Sequence, residues 1–340
     1  MRKQVTVYDI ADRLGISPST VSRVFNDSIL VSSETRERTL EAAEQMGYRK
    51  RKIRRQQSRT ILNVALVIPH YDRSSVHLFY DPAELVDGLE TGLGEVRSKI
   101  GVTLSDSSAG LFDHKKLGDL DGCVFAFSLP DLKLRAELRR WNVPWVALNR
   151  VSTEFNFVAT NNAGGMMRLV EQAVSRWGQQ LKPCYIGFRP IESVSRQREQ
   201  GFDAGLRQYG LERSVATHWD IDAIQDLTVA SVRTLVDRGV NAVFCFNDVV
   251  AVYFYQVAVR AGFKIPDDIS LSGFDHSPVR DLLIPPLDTV SLSVHRLGKE
   301  AGCWLRACVI ERKQDPIHLL VDGEYVPGET IHLEAKKNED

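Results

Sequence analysis

From Ile61 onward the chain alternates short apolar runs with amphipathic stretches of helical period, and this alternation constrains the fold more than any other feature. ILNVALVIP reads as a buried strand, and the following ELVDGLETGLGEV places Leu85, Leu89, Leu93 and Val96 on one helical stripe. GVTLS, DGCVFAF and VPWVAL read as further strands, with LKLRAELRRW as a helix between the last two. A second set begins near Asn161. It runs NAGGMMRLVEQAVSRWG (helix), PCYIGF (strand), RQREQGFDAGLRQYG (helix), VATHWD (strand), ASVRTLVDRG (helix), NAVFCF (strand), VVAVYFYQVAVRAG (helix) and ISLSGF (strand). Such an order demands parallel sheets covered on both faces, here as two doubly wound lobes of similar size. The cleft expected between their sheet edges is a natural place for a small ligand.

The first fifty residues follow another rule. Thr6 precedes VYDIADRLG, where Val7, Ile10, Ala11 and Leu14 recur at helical spacing and Gly15 supplies the left-handed stop. In ISPSTVSRVFN, Ser17 caps a second helix, Pro18 suits its first turn, and Val21, Val24 and Phe25 share one side. SSETRERTLEAAEQMG makes a third helix, capped by Ser32 or Ser33, with Leu40, Ala43 and Met46 inward. Two short helices that nearly abut must share a core with the third, which is the layout of a helix-turn-helix. A small three-helix protein-binding module has the same outline. The outward residues of the second helix, Pro18, Ser19, Ser22 and Arg23, are small or hydrogen-bonding, and one arginine is able to pair with guanine.

Charge separates the two regions. Residues 1–60 hold 13 Lys and Arg against 7 Asp and Glu, although the 340-residue chain has a net charge of only −1. A basic head on an acidic body suggests that the head alone meets a polyanion. RKRKIRRQQSR at 49–59 carries seven of those cations and one apolar side chain, Ile53, and on composition alone reads as a solvated linker. The 5 cysteines are widely spread and never paired as C-x-x-C, so neither a disulfide framework nor a zinc site is signalled. The N-terminus lacks the apolar core of a signal peptide, and AVFCFNDVVAVYFYQVAV is broken by Asn247, Asp248 and Gln256. The expectation is a cytoplasmic protein with no membrane partner, no cofactor and no metal.

TVYDIADRLGISPSTVSRVFNDSILVSSETRERTLEAAEQMGY resembles the head of the LacI/GalR family of bacterial transcription regulators along its whole length. By that resemblance Pro18, Ser19 and Arg23 read bases, while Thr6, Tyr8, Ser17, Thr20, Ser22, Asn26 and Ser32 sit at or near phosphate-contacting positions. Thr20 and Ser32 also suit caps. The body resembles the family in SVSRQREQGF, NAVFCFNDVVA, IPDDISLSGFD and PPLDTVSLSVHRLG, which implies a two-lobed, periplasmic-binding-protein-like (type I) α/β domain that binds an effector, often a sugar, and dimerises. The implied division is a helix-turn-helix DNA-binding domain at 1–48, a basic hinge or linker at 49–60 and an effector-binding and dimerisation domain at 61–340. Its first lobe takes about 61–160 and 290–318, its second about 161–289 and 319–340.

Matching positions nominate Arg198, Asn247 and Asp275 as effector contacts, followed by Ser193, Arg196 and Trp219. A sugar-like ligand suits the carboxylate of Asp275, the fork of Arg198 and the amide of Asn247, with Trp219 stacked on its apolar face. Each residue has a local reading too: Asp275 capping a turn, Asn247 capping the next helix, Arg198 pairing with Glu199 or Glu192. The chain departs from the family at Thr160, where an acidic residue is usual, and in LNR at 148–150. Both changes weaken the case for an ordinary pyranose. SDSSAGLFDHKKLGDLDG is short for a complete helix and its loops, so a truncated first-lobe helix is expected there.

In the family the linker folds on DNA into a hinge helix whose leucine wedges into the minor groove. Here that position falls on Gln57, and the small residues that usually precede it are Arg54 and Arg55. Only Ile53 stands nearby. The run therefore reads as a linker that trades insertion for charge, with Arg51, Lys52, Arg54 and Arg55 beside phosphates or in a narrow minor groove.

Rival functions fare worse. The G-x-G at Gly92 and Gly94 lies inside an expected helix with Arg97 in place of a third glycine, and no P-loop, G-x-S-x-G or H-E-x-x-H occurs, so an enzyme is not expected. An exported sugar-binding protein has no use for the head. A constitutive DNA binder with an empty cleft, and a regulator with a non-sugar effector, stay open. The leading reading is a homodimeric regulator, a repressor by preference, that binds double-stranded operator DNA under control of a sugar or sugar derivative held between two lobes.

Overall fold

A computed structural model describes residues 5–25, 31–48, 61–69, 80–105, 117–211, 217–313 and 315–331. The chain divides into two compact units, one from the described residues within Met1–His70, Glu90–Phe157 and Glu300–His318, the other from those within Tyr71–Leu89, Val158–Lys299 and Leu319–Asp340.

The head comprises α1 (Val7–Leu14), α2 (Pro18–Phe25) and α3 (Ser33–Gln45). Thr6 and Asp9 form a reciprocal capping box at the start of α1, and Gly15 ends it at φ 65°, a left-handed conformation that costs a Cβ-bearing residue more. Ile10, Ala11, Val21, Ala42, Ala43 and Tyr48 form the shared core, and the rings of Phe25 and Tyr48 lie 4.9 Å apart. One expected core position differs. Leu40 is 43% exposed, and the inward face of α3 runs instead through Thr39, Ala42 and Ala43. Thr39 tolerates burial because its hydroxyl donates to the Thr35 carbonyl at 2.6 Å, so a polar residue holds the helical stripe that apolarity alone assigned to its neighbour.

The first unit holds β1 (Ile61–Pro69), β2 (Arg97–Ser105), β3 (Gly122–Ala126) and β4 (Trp145–Leu148), with α5 (Leu132–Arg140) between the last two. Between β1 and β2 comes α4 (Pro82–Leu93), whose Leu85, Leu89 and Leu93 are fully buried, as its stripe requires. The strands pair in parallel in the order β2-β1-β3-β4, with Val64 opposite both Ile100 and Gly122 and Val124 opposite Val146. The same sheet order continues to β5 (Phe157–Thr160) and β11 (His318–Val321), two short strands inside which the chain passes between the units. Neither stands out as a strand in the sequence. Residues 106–116, where a truncated helix is expected, lie outside the described residues.

The second unit is a four-stranded parallel sheet in the order β7-β6-β8-β9, from β6 (Pro183–Phe188), β7 (Thr217–Ile221), β8 (Ala242–Cys245) and β9 (Ser270–Ser272). Its helices are α6 (Asn162–Trp177), α7 (Glu192–Gln208), α8 (Val229–Asp237) and α9 (Asp248–Arg260). Both sheet faces are buried, and the strands show why the runs read as continuously apolar. Cys184, Ile186, Val243 and Cys245 enter one hydrophobic cluster, whereas Tyr185, Ala242 and Phe244 enter another. A two-stranded antiparallel pair of β10 (Thr289–Val290) and β12 (Tyr325–Val326) completes the unit, and α10 (Val294–Val309) follows β10 in the chain. Among the described residues no helix is long and apolar enough to cross a membrane.

Candidate functional site

On the head, hydroxyl groups gather at the start of α2. The Ser17 hydroxyl accepts from the Thr20 amide at 3.1 Å and meets the hydroxyls of Ser19 and Thr20 at 2.7 and 2.8 Å. Ser19 and Arg23 are exposed, Pro18 and Thr20 are half-buried, and Val21 and Val24 anchor the opposite face. Tyr8 projects its ring from α1 with 66% exposure. Thr6 and Ser32 cap α1 and α3, each hydroxyl both accepting from a backbone amide and donating to a side chain three residues on. A phosphate contact from either must displace a bond already made. Ser22 lies within α2, and Asn26, Arg51, Arg54 and Arg55 fall outside the described residues.

In the second unit, three of the six nominated effector residues are bonded together at the carboxyl ends of adjacent strands. Asn247 follows β8, Asp275 follows β9, and Arg198 reaches them from α7. Arg198 is buried, with its side chain 2% exposed. Its Nε donates to Asn162 Oδ1 at 3.0 Å, its Nη2 to Asp275 Oδ1 at 2.6 Å and its Nη1 to the Phe246 carbonyl. Phenylalanine rings flank the cation, with centroids 3.8 Å away for Phe274 and 4.9 Å for Phe246. Asn247 has two tasks, since its side chain caps α9 by accepting from the Val250 amide at 3.0 Å and also hydrogen-bonds the Asp275 carboxylate. The local and functional readings of this residue are thus compatible.

Burial pushes the Asp275 carboxyl up to about 6, against the opposing pull of Arg198 and Asn247. Asp275 has φ 104° and His276 φ 54°, two consecutive left-handed residues with side chains. Strain of this kind collects where a turn is shaped for function. A carboxylate with two oxygens, flanked by an amide and an oriented guanidinium, is able to accept from two neighbouring hydroxyls of a ligand.

The other nominated residues are placed differently. Ser193 is exposed in the first turn of α7, and Arg196 is exposed and paired with Glu192 at 2.8 Å. Trp219 is half-buried against the apolar cluster around Ile186 and Val232. Phe188, the last residue of β6, is half-buried with its ring 5.6 Å from that of Phe246. Thr160, at the usually acidic position, is fully buried and donates to the Leu292 carbonyl at 3.0 Å. Arg150, in the LNR departure, donates to the carbonyls of Asn149 and Phe127. Asn162, Phe246 and Phe274 complete the Arg198 cage and are not evident from motif reading. The available signals were the second asparagine of ATNNAGG, which opens α6, and the phenylalanines that precede Asn247 and Asp275 in NAVFCFNDVVA and IPDDISLSGFD.

Residues 6–50 match the family model of bacterial regulatory proteins, lacI family, and residues 157–331, just over half of the chain, match that of the periplasmic binding protein-like domain. The chain belongs to the lacI family. This lacI-family protein is 26% identical over 344 residues to the HTH-type transcriptional regulator CelR of Thermobifida fusca, covering 97% of this chain and 99% of that protein. It is 27% identical over 334 residues to the ribose operon repressor of Halalkalibacterium halodurans, with 96% of each covered. Among solved structures, a transcriptional regulator CelR–cellobiose complex superposes with a TM-score of 0.63 and 25% identity over 96% of this chain and 100% of that one. The relatives are transcriptional regulators, in line with a lacI-family head whose outward helix carries hydrogen-bonding side chains.

Proposed function

We propose that this lacI-family regulator represses transcription by docking α2 of two heads into a roughly palindromic operator, and that a sugar or sugar derivative taken up at Asp275, Asn247 and Arg198 modulates that binding. The cluster of a carboxylate, an amide and a caged guanidinium at the ends of β8 and β9 carries this reading. Vicinal hydroxyls match its acceptor geometry, and Phe188 offers a half-buried ring beside it. Cellobiose and ribose, named for relatives, are the first ligands to try.

Two heads require two chains. Val259, Leu282 and Ile284 are 50, 77 and 86% exposed, and the Tyr255 hydroxyl donates to the Ile284 carbonyl, which ties α9 to the turn that carries the other two. Large apolar side chains left this exposed support self-association. Head, basic linker and body divide at about residues 48 and 60, and the protein acts where its operator is, inside the cell.

Selection of bound duplexes from random DNA, repeated with ribose and with cellobiose, tests the proposal. An enriched palindrome whose affinity changes at least fivefold with one sugar supports it, and by linkage the operator will shift sugar affinity by the same factor. No enrichment over bulk competitor sinks the DNA reading. An enriched duplex indifferent to every sugar, phosphosugar and uronate tried sinks the effector reading.

A further inference from the structure

Asp248 follows Asn247 in the chain, has no exposed surface, and directs its side-chain hydrogen bonds away from Arg198, Asn247 and Asp275. Its bonds go to the residues around Asp275. Oδ2 accepts from the Ser277 amide at 2.6 Å and Oδ1 from the Thr289 hydroxyl at 2.6 Å, while the Asp248 amide donates to the Phe274 carbonyl at 2.9 Å. The Thr289 oxygen in turn accepts from the His276 amide at 3.4 Å. One residue therefore grips the chain on both sides of the left-handed pair Asp275 and His276, at 274 through its backbone and at 276 and 277 through its carboxylate, directly or by way of Thr289. Gly273 leaves the room this requires, since a Cβ there would lie 2.2 Å from Asp248 Oδ1.

We propose that Asp248 is a positioning residue of the effector site, holding the strained turn in the one conformation that presents the Asp275 carboxylate beside Arg198 and Asn247. This rests on the reading of Asp275 as an effector contact. A simpler role for Asp248, as an acidic residue in the first turn of α9, does not account for its burial. Helix-dipole stabilisation is available to an exposed carboxylate, whereas a buried one is costly unless both oxygens are satisfied by groups that need holding. Left-handed residues with side chains persist where surrounding bonds over-determine them, and Asp248 supplies two of those bonds directly and a third through Thr289. The strand–Asn–Asp–helix sequence thus divides its labour: Asn247 faces the ligand group, and Asp248 braces the loop opposite.

Full-length Asp248→Asn, Thr289→Val, Asp275→Asn and the Asp248→Asn/Asp275→Asn double variant test this, with ribose and cellobiose as probes in titration calorimetry and crystal structures of the two bracing variants. Asp248→Asn replaces one acceptor by a donor, and Thr289→Val removes the hydroxyl at nearly constant volume. Each is expected to weaken sugar binding at least tenfold, with Asp248→Asn adding less than twofold once Asp275 is already Asn. A merely structural role would multiply the two losses in the double variant. In the crystals the Arg198–Asp275 contact of 2.6 Å is expected to open beyond hydrogen-bond reach. Binding within twofold of the parent, or fully multiplicative losses, overturns the proposal. Should neither sugar bind the parent, the effector class is wrong and the crystals decide alone: survival of the contact and of both positive φ values in both variants overturns the positioning role. If Asp275→Asn binds sugar as the parent does, the site reading fails instead. Thr289→Val carries the test if Asp248→Asn does not fold.

Discussion

Arg198 and Asp275, 77 positions apart in the chain, meet at 2.6 Å with side chains 2 and 5% exposed. Removal of either partner strands the other charge in a buried site, which costs about 3–5 kcal/mol in comparable pairs. Arg198→Leu and Asp275→Leu are each expected to destabilise by about that amount, and the double replacement by clearly less than the sum. Urea unfolding of the three variants checks this. Strict additivity would mean that the pair is uncoupled.

The Asp275 carboxyl titrates at about 6, well above the value of about 3.9 usual for an unfolded chain. Arg198, Asn247 and the nearby Asp248 carboxylate face it, and burial dominates. Because the folded chain holds this proton more tightly, its contribution to stability is present below about pH 4 and is lost as pH rises through about 6. Ligand binding follows the opposite course, since the ionised form accepts from hydroxyls, so sugar affinity should rise across the same window. Asp275→Asn is expected to flatten the affinity dependence and to reduce the stability dependence, leaving the part due to the buried Asp248 carboxyl, which burial also holds well above its usual range. Parallel pH profiles for parent and variant would refute the assignment.

On the head, Thr6→Ala removes the side-chain half of a capping box and is expected to cost about 1 kcal/mol. Arg23 is exposed on α2, and Arg23→Ala is expected to cost about 1–3 kcal/mol of operator affinity while relaxing preference at one base pair. Affinity for non-cognate DNA should fall much less. Competition binding with the selected duplex and single-base variants separates the two effects.

The basic run yields a prediction from charge alone. Neutralising Arg54 and Arg55 together should lower affinity and reduce the salt slope by about 0.9 log unit per log unit of salt for each phosphate left without its cation. Gln57→Ala should change little, because no wedge stands there. An unchanged slope in the double variant would make the run a spacer.

Leu282→Asp with Ile284→Asp places two charges on side chains 77 and 86% exposed. Sedimentation velocity is expected to show the parent as a dimer and the variant shifted to monomer at micromolar concentration, with operator affinity lowered in step. A variant that stays dimeric locates the interface elsewhere.

What the sequence determined by itself is what neighbours along the chain decide. Thr6 and Asp9 cap α1 across three residues, Gly15 ends it, and the continuous burial of β6 and β8 follows from apolar residues on both faces of a parallel strand. The lacI-like head and the alternation of strand and helix needed nothing more. Tertiary structure decided the rest, where partners are distant or polar groups stand in apolar places. Arg198 draws its partners from positions 36, 48 and 77 residues away, and no local pattern distinguishes that cage from a surface pair with Glu199. Thr39 displaces Leu40 from the head core because a backbone carbonyl satisfies its hydroxyl, and Trp219 falls on the packed face of β7 because register sets its neighbours. Asp248 looks like an ordinary first-turn carboxylate until Ser277 and Thr289 arrive from 29 and 41 residues further along the chain. Periodicity and capping are short-range and leave a mark in sequence, whereas the compensation of a buried charge depends on groups that only the folded chain brings within 3 Å.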